Sequence, residues 1–413
     1  MVASNHGAVV SNRRMVVTDR RADLLADALI DVDSVVRSET TDWEALVRRA
    51  REGNLLGTLA ERIAERSLTD QVPAAPRAHL IAARIRSAAQ ATAIRRELRH
   101  LARALDGVDA QVVLLKGAAY FCAGLRPARG RVFSDIDVLV PKHALLDVES
   151  ALMQAGFVTT HTNPYDQRYY RQWMHELPPM QHVRRQTVLD VHHALVPETS
   201  RMHPDSALLL EEAVPLDESA WMLYRTPRHE APPPDDTDAQ TASTLSETRP
   251  RFSVLAPADM AIHCATHLFC DEEFSHATRD LVDFDGLLRQ FGSDPDFWTK
   301  LVPRARTLEL ARPLYYALHW SARVHGTPIP AEVMRDARAD APLAPLRHAM
   351  NGLLGPALHA TRGRASTRWA RRALYVRGHW LKMPPHLLAW HLTVKAFRRE
   401  ETTSTDEAPR NEA

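Results

Sequence analysis

The sequence predicts an α/β or α+β domain set between two helical regions. Three observations predict it. Short apolar runs alternate with amphipathic stretches over about a hundred residues beginning at Gln111. Apolar residues recur at helical spacing before that segment. They do so again after a Pro-rich interruption at 229–250. A chain of 413 residues accommodates two or three domains at roughly 150 residues each.

Composition bounds the function classes. The chain is 45% hydrophobic and 25% charged, as a folded protein is. Its 52 basic and 51 acidic side chains leave a net charge of +1, which argues against a bulk polyanion binder but allows a local patch. The three cysteines, Cys122, Cys264 and Cys270, have no CxxC spacing, so a reducing cytoplasm fits. Residues 1–17 lack the continuous apolar stretch of a signal peptide, and no run approaches transmembrane length. A cytoplasmic location is the expectation.

Taken in order, residues 1–20 read as a leader and 21–107 as a helical region. Ile94, Leu98, Leu101 and Leu105 share one helical face, and Asp106-Gly107 ends it. The sheet-bearing domain is expected over 108–228. QVVLLK (111–116) is a buried strand, Gly117 breaks it, and AAYFCAGL (118–125) forms a helix. RPARGR (126–131) is a basic loop, VFSDIDVLV (132–140) a strand, and LLDVESALMQAGF (145–157) an amphipathic helix. Short strands are expected at 168–174, 180–185 and 187–195. After the linker at 229–250 comes a helical domain at 251–335, where Pro257 and Asp259 mark a helix start. A basic, Trp-containing helical region at 336–399 and a disordered tail at 400–413 complete the chain.

The chemistry is carried by DID at 135–137. On a strand, residues i and i+2 face the same way, so Asp135 and Asp137 project together while Ile136 enters the core. Paired carboxylates repel unless a cation lies between them. Two Mg²⁺ ions so held can activate an attacking oxygen and stabilise a leaving one. Asp190, in the apolar run VLDVHHAL, is the candidate third carboxylate, binding metal or acting as general base. Lys116-Gly117 closes a strand and opens a helix, a geometry that suits a phosphate. Lys116 and Arg131 can add cationic contacts to a triphosphate, with Arg126 and Arg129 in the same loop.

This ordered set resembles the nucleotidyltransferase superfamily, with its DNA polymerase β-like fold. VVLLKGAAY, RVFSDIDVLV, VLDVHHAL and RDLVDFDGLL are similar, more narrowly, to a bacterial family known simply as uncharacterised nucleotidyltransferase. The resemblance implies an α+β fold, a mixed sheet with flanking helices, to which the periodicity adds helical regions at both ends. It also implies Mg²⁺ and a nucleoside triphosphate donor. It places Asp135, Asp137 and Asp190 as catalytic metal ligands and Gly117 in the phosphate turn. The wider superfamily has Gly-Ser or Gly-Gly at that turn, whereas this chain has Gly117-Ala118, which removes one hydroxyl.

Weaker features complete the reading. His192 shares a face with Asp190. It either orients that carboxylate or touches a substrate, alongside Lys116, Gly117 and Arg131, or it is a half-buried histidine bonded to backbone. His263 and His267 are spaced i, i+4 but lack the Glu of HExxH, and a packing face is the favoured reading. Asp280, Asp283 and Asp285 suit salt bridges. Residues 341–399 contain no Asp or Glu and eleven Lys/Arg, with Trp369, Trp380 and Trp390 interleaved. That mix suits an anionic membrane surface or RNA. A basic helix pair packing by its Trp residues is the plainer reading. The functional expectation is nucleotidyl transfer from an NTP to an unknown acceptor with pyrophosphate release. The rivals are a catalytically degenerate binding protein and a peripheral membrane or RNA-binding protein.

Overall fold

The computed structural model describes residues 23–160, 163–217, 252–271, 274–358 and 365–384. The expected leader, linker and tail, and Trp390, lie outside the described residues.

The N-terminal region is helical, as the periodicity requires: α1 (Leu24–Ile30), α2 (Val32–Arg37), α3 (Trp43–Glu52), α4 (Leu56–Glu65) and α5 (Ala74–Ala104). Asp23, Asp31 and Asp42 cap the first three, their side chains accepting from the amides of Leu25, Ser34 and Ala45. These helices close a small core around Leu25, Leu46, Leu59 and Ile63, which Val282 also enters. The long α5 joins this core to the main one. Leu80 belongs to the first, while Ile94, Leu98 and Leu101 belong to the second.

The sheet has seven strands: β1 (Val113–Leu114), β2 (Ile136–Leu139), β3 (Phe157–Thr159), β4 (Met180–His182), β5 (Val188–His192), β6 (Val214–Pro215) and β7 (Ser253–Val254). Their spatial order is β3-β4-β5-β2-β1-β7-β6. Pairing is parallel for β2 with β5 and β1 with β7, and antiparallel elsewhere, so the sheet is mixed. Between the strands lie α6 (Lys116–Cys122), α7 (Leu145–Gln154), α8 (Pro164–Trp173) and α9 (Ser206–Glu211). The segment after residue 251 opens with a sheet strand, since Ser253 N donates to Val112 O at 2.9 Å.

The strand expected at 168–174 is instead part of the helix α8. Helical spacing satisfies its aromatic and polar residues. Tyr169 meets Trp173 edge to face at 6.1 Å, and Arg168 and Arg171 bond Gln172 and Gln167 at i±4. The first strand is also shorter than QVVLLK, because Lys116 already belongs to α6.

The remaining chain is helical: α10 (Pro257–Cys270), α11 (Ala277–Phe291), α12 (Pro295–Thr307), α13 (Ala311–His325), α14 (Ala331–Ala337), α15 (Ala344–Leu358) and α16 (Ala365–Lys382). Pro257 takes the first helical position of α10, and Asp259 receives two bonds from the Arg304 guanidinium, at 2.7 and 2.8 Å. One continuous hydrophobic core runs from Ala91 through the sheet to Leu374 on α16. The fold is thus α+β, a mixed sheet with flanking helices and helical regions at both ends. Among the described residues, no helix is long and apolar enough to cross a membrane.

Candidate active site

The parallel register of β2 and β5 sets Asp137 directly against Asp190. Residues opposite one another on neighbouring strands share a face, so the two carboxylates are neighbours by construction. Asp135 stands one residue before β2, with the Ser134 hydroxyl donating to it at 2.8 Å. Ligand atoms of Asp135, Asp137 and Asp190 all lie within 4.8 Å of one another. Ile136 is buried on the opposite face.

Lys116 adopts a left-handed backbone with φ of 45° at the junction of β1 and α6. Such a conformation is costly for a residue bearing Cβ and persists only where the surroundings enforce it. Here it accompanies a bond from Lys116 Nζ to Asp137 Oδ1 at 2.7 Å. His192 Nε2 reaches the same oxygen at 3.0 Å, and its Nδ1 lies 3.2 Å from Glu176 Oε2. The backbone holds this chain of contacts: Glu176 bridges to His192, and Leu177 N donates to Val191 O at 2.8 Å. His175 tilts over His192, ring centroids 5.3 Å apart.

Charge and burial pull these groups apart in acidity. Asp137 is only 3% exposed. Burial opposes its ionisation, but the Lys116 ammonium and the His192 bond hold it well below the usual carboxylate range. Lys116 is half-buried, which opposes its charge, yet Asp137 lifts it above the ordinary lysine value. Asp190 has no such partner: burial, then the charges of Asp137 and Glu176, push it up to about 7. Its Oδ1 is buried with no hydrogen-bond partner. Burial works against a charged His192, but Glu176 and the Asp137 bond raise it above the imidazole value. Burial and the neighbouring His192 push His175 well below it.

An orphaned carboxylate oxygen beside two further carboxylates fits a divalent cation, which is the ligand that relieves such repulsion. His175, Glu176 and His192 form a second group of ligand atoms within 4.8 Å of one another, sharing His192 with the first.

The residues singled out in the sequence divide. Asp135, Asp137, Asp190, Lys116 and His192 come together. Gly117 lies in α6, where a Cβ would stand 2.4 Å from the Phe133 ring, so close packing requires glycine there. The left-handed residue at this turn is Lys116 itself. Arg131 is buried and engaged elsewhere: it pairs with Asp283 of α11 and lies 5.6 Å from the Tyr120 ring centroid. His267 contacts Asp280 at 3.4 Å. His263 on α10 is buried and held well below its usual range by burial and by the Lys116 charge. Glu176 and His175 escaped the sequence reading because they fall in an irregular stretch. Two adjacent ionisable residues before LPP, at 177–179, were the available signal.

The family model described as uncharacterised nucleotidyltransferase matches residues 39–326. The chain belongs to that family. The match to this nucleotidyltransferase family spans α3 through α13 and so includes every carboxylate of the site. Membership supports nucleotidyl transfer as the general role, with a nucleoside triphosphate as donor in general. No curated protein and no solved structure matches the chain.

Proposed function

We propose that this nucleotidyltransferase moves a nucleotidyl group from an NTP to an acceptor hydroxyl or phosphate, releasing pyrophosphate, at Asp135, Asp137 and Asp190. The observation that carries the reading is the buried, unpartnered Asp190 Oδ1 set in register against Asp137. Asp135, Asp137 and Asp190 would hold divalent cation, Mg²⁺ by the chemistry of an all-carboxylate set. Bound there, it would supply charge neutralisation for the triphosphate and the leaving pyrophosphate.

The remaining roles fall to the chain's own groups. Lys116 neutralises Asp137 and sets its orientation. Glu176 fixes the His192 ring, and His192 in turn fixes Asp137, so the carboxylate is held before substrate arrives. Asp190 is the group able to take a proton from an acceptor hydroxyl. The test is release of pyrophosphate from each of the four common NTPs with Mg²⁺ or Mn²⁺, in wild type and Asp137→Asn. Metal-dependent release confined to wild type is expected; equal release by both proteins would sink the assignment.

One observation favours a second reading, a nucleotide-binding protein without catalysis. Lys116 already gives Asp137 an internal cation, and Ala118 offers no hydroxyl at the turn. That reading expects NTP binding by calorimetry with no pyrophosphate release. A contact with an anionic membrane through 341–399 rests on α16, where Trp369 is 68% and Val376 54% exposed beside Arg368 and Arg372. Salt-sensitive co-sedimentation with anionic vesicles, lost in Trp369→Gln, is its measurement.

A further inference from the structure

A cavity of about 230 Å³ lies apart from the three carboxylates, between the N-terminal helices, the turn at 126–129 and α11. None of Asp135, Asp137, Asp190 or Lys116 lines it. Its walls are densely charged, and the pattern of pairing within them is uneven.

The acidic side chains are taken. Glu65 accepts from Arg129 at 2.5 Å, and Asp285 accepts from Arg289 and from Thr327, each at 2.7 Å. Asp33 lies 3.8 Å from Arg66, and Glu61 bonds Arg84 at 3.1 Å. Asp283 is the partner of the buried Arg131, and Asp31 caps α2. Two cations remain. Arg62 of α4 donates to the Leu29 carbonyl and has no carboxylate partner among the described residues. Arg126, exposed at the mouth, has none either; its backbone amide alone is engaged, by Gln290.

A third donor completes the wall. His325, the last residue of α13, is 3% exposed, and its Nε2 has no hydrogen-bond partner. Burial, opposed by Asp285 and aided by Arg62 and Arg289, pushes its pKa down to about 4, so the ring is neutral at physiological pH. A neutral imidazole carries one ring proton and can donate it without adding charge. Burial and the repulsion of Arg126 and Arg289, against the pull of Asp285, likewise lower Arg62. Both guanidiniums line the cavity without a direct ion pair among the described residues, and the charge of Asp285 reaches Arg62 without contact.

We propose that this cleft binds the phosphate group of a small organic molecule, with Arg62 and Arg126 on the phosphate oxygens and His325 as a neutral donor. The cavity has room beyond the phosphate for a body of sugar size. The proposal is independent of the carboxylate site, because the walls share no residue with it. The Arg131–Asp283 pair does link them, since Asp283 lines the cleft and Arg131 packs beside Gly117.

Calorimetric titration of the full chain in chelator, with inorganic phosphate and with ribose 5-phosphate, tests it. Wild type should bind ribose 5-phosphate saturably and more tightly than phosphate. Arg62→Gln and Arg126→Gln should each weaken binding about tenfold or more, the loss of a charge-assisted contact. Asp137→Asn should bind as wild type does. Arg126 is exposed, so its variant reports on the site even if Arg62→Gln folds poorly. Absence of saturable binding in wild type would overturn the site. So would binding that Asp137→Asn weakens while Arg126→Gln keeps it, for then the anion sits at the carboxylate centre. Equal affinity for the two probes would overturn the organic ligand.

Discussion

Asp137 and Asp190 are the same residue type at equivalent positions of adjacent strands, yet their environments set them far apart. Asp137 has two donors on one oxygen; Asp190 has a buried oxygen with none. Asp137→Asn removes the charge on which Lys116 and His192 converge. We expect nucleotidyl transfer to fall on the order of a thousandfold or more with the far-UV spectrum unchanged, measured by pyrophosphate release and circular dichroism. Asp190 makes a different prediction. Its folded-state value, about 7, lies above the unfolded one. The stability linked to it is therefore fully present below about pH 4 and lost as pH rises through about 7. Asp190→Asn should accordingly stabilise the metal-free protein at pH 8, on the order of 2 kcal/mol once residual solvent screening is allowed for. It should change little at pH 4. Thermal melts at the two pH values read this out, and a destabilised variant at pH 8 would mean that Asp190 has a partner after all. Mg²⁺ should raise the wild-type melting temperature at pH 8 more than that of the variant.

At the scale of elements, glycines set the distances between layers. A Cβ on Gly57 of α4 would stand 2.1 Å from the Gly130 carbonyl oxygen, so the N-terminal helices touch the 126–131 loop backbone to backbone. Gly57→Ala must force them apart, and we expect a loss of about 1–3 kcal/mol by denaturant titration. Helix α16 divides in the same physical terms. Leu374 is fully buried in the main core, and the hydroxyls of Thr199 and Ser200 donate to the carbonyls of Lys382 and Leu381. Leu374→Ala should cost about 2–5 kcal/mol, whereas Trp369→Gln on the exposed face should stay within about 0.5 kcal/mol. Similar losses in both variants would show that the Trp369 face is covered by other parts of the protein. The helix α8 carries the opposite lesson about local sequence. Its aromatic residues have strand preference, and an i, i+4 edge-to-face contact with glutamine–arginine pairs overrides it.

Across the whole molecule, one core binds the sheet to the helices that follow it. β7 pairs with β1 although residues 218–251 separate it from β6 in sequence, and Arg131 pairs with Asp283 within the protein interior. Cleaving the chain between residues 228 and 250 should therefore leave two pieces that co-elute on size exclusion and melt in one transition. Separation without denaturant would contradict the shared sheet. Asp283→Asn leaves Arg131 buried and uncompensated, which should cost about 3–5 kcal/mol. Because Arg131 packs beside Gly117, the same change should lower nucleotidyl transfer as well as the melting temperature.

The sequence by itself determined most of the alternation of strands and helices, the face of α5, the start of α10 at Pro257, and the grouping of Asp135 with Asp137. Each follows from a period of 2 or 3.6 residues or from a proline at a helix start, and such patterns are local. Asp190 was legible for a related reason, as a lone charge in an apolar run. Tertiary structure decided the rest. Only strand register sets Asp190 against Asp137, and only the irregular 174–179 segment brings Glu176 to His192. Gly117 suggested a phosphate turn, yet the left-handed residue is Lys116, and glycine is required by the Phe133 ring from another segment. Arg131 suggested a phosphate contact, but Asp283 lies more than a hundred residues away in sequence and claims it. A side chain's type and its place along a strand are written locally; which partner satisfies its charge is settled by whatever the fold packs against it.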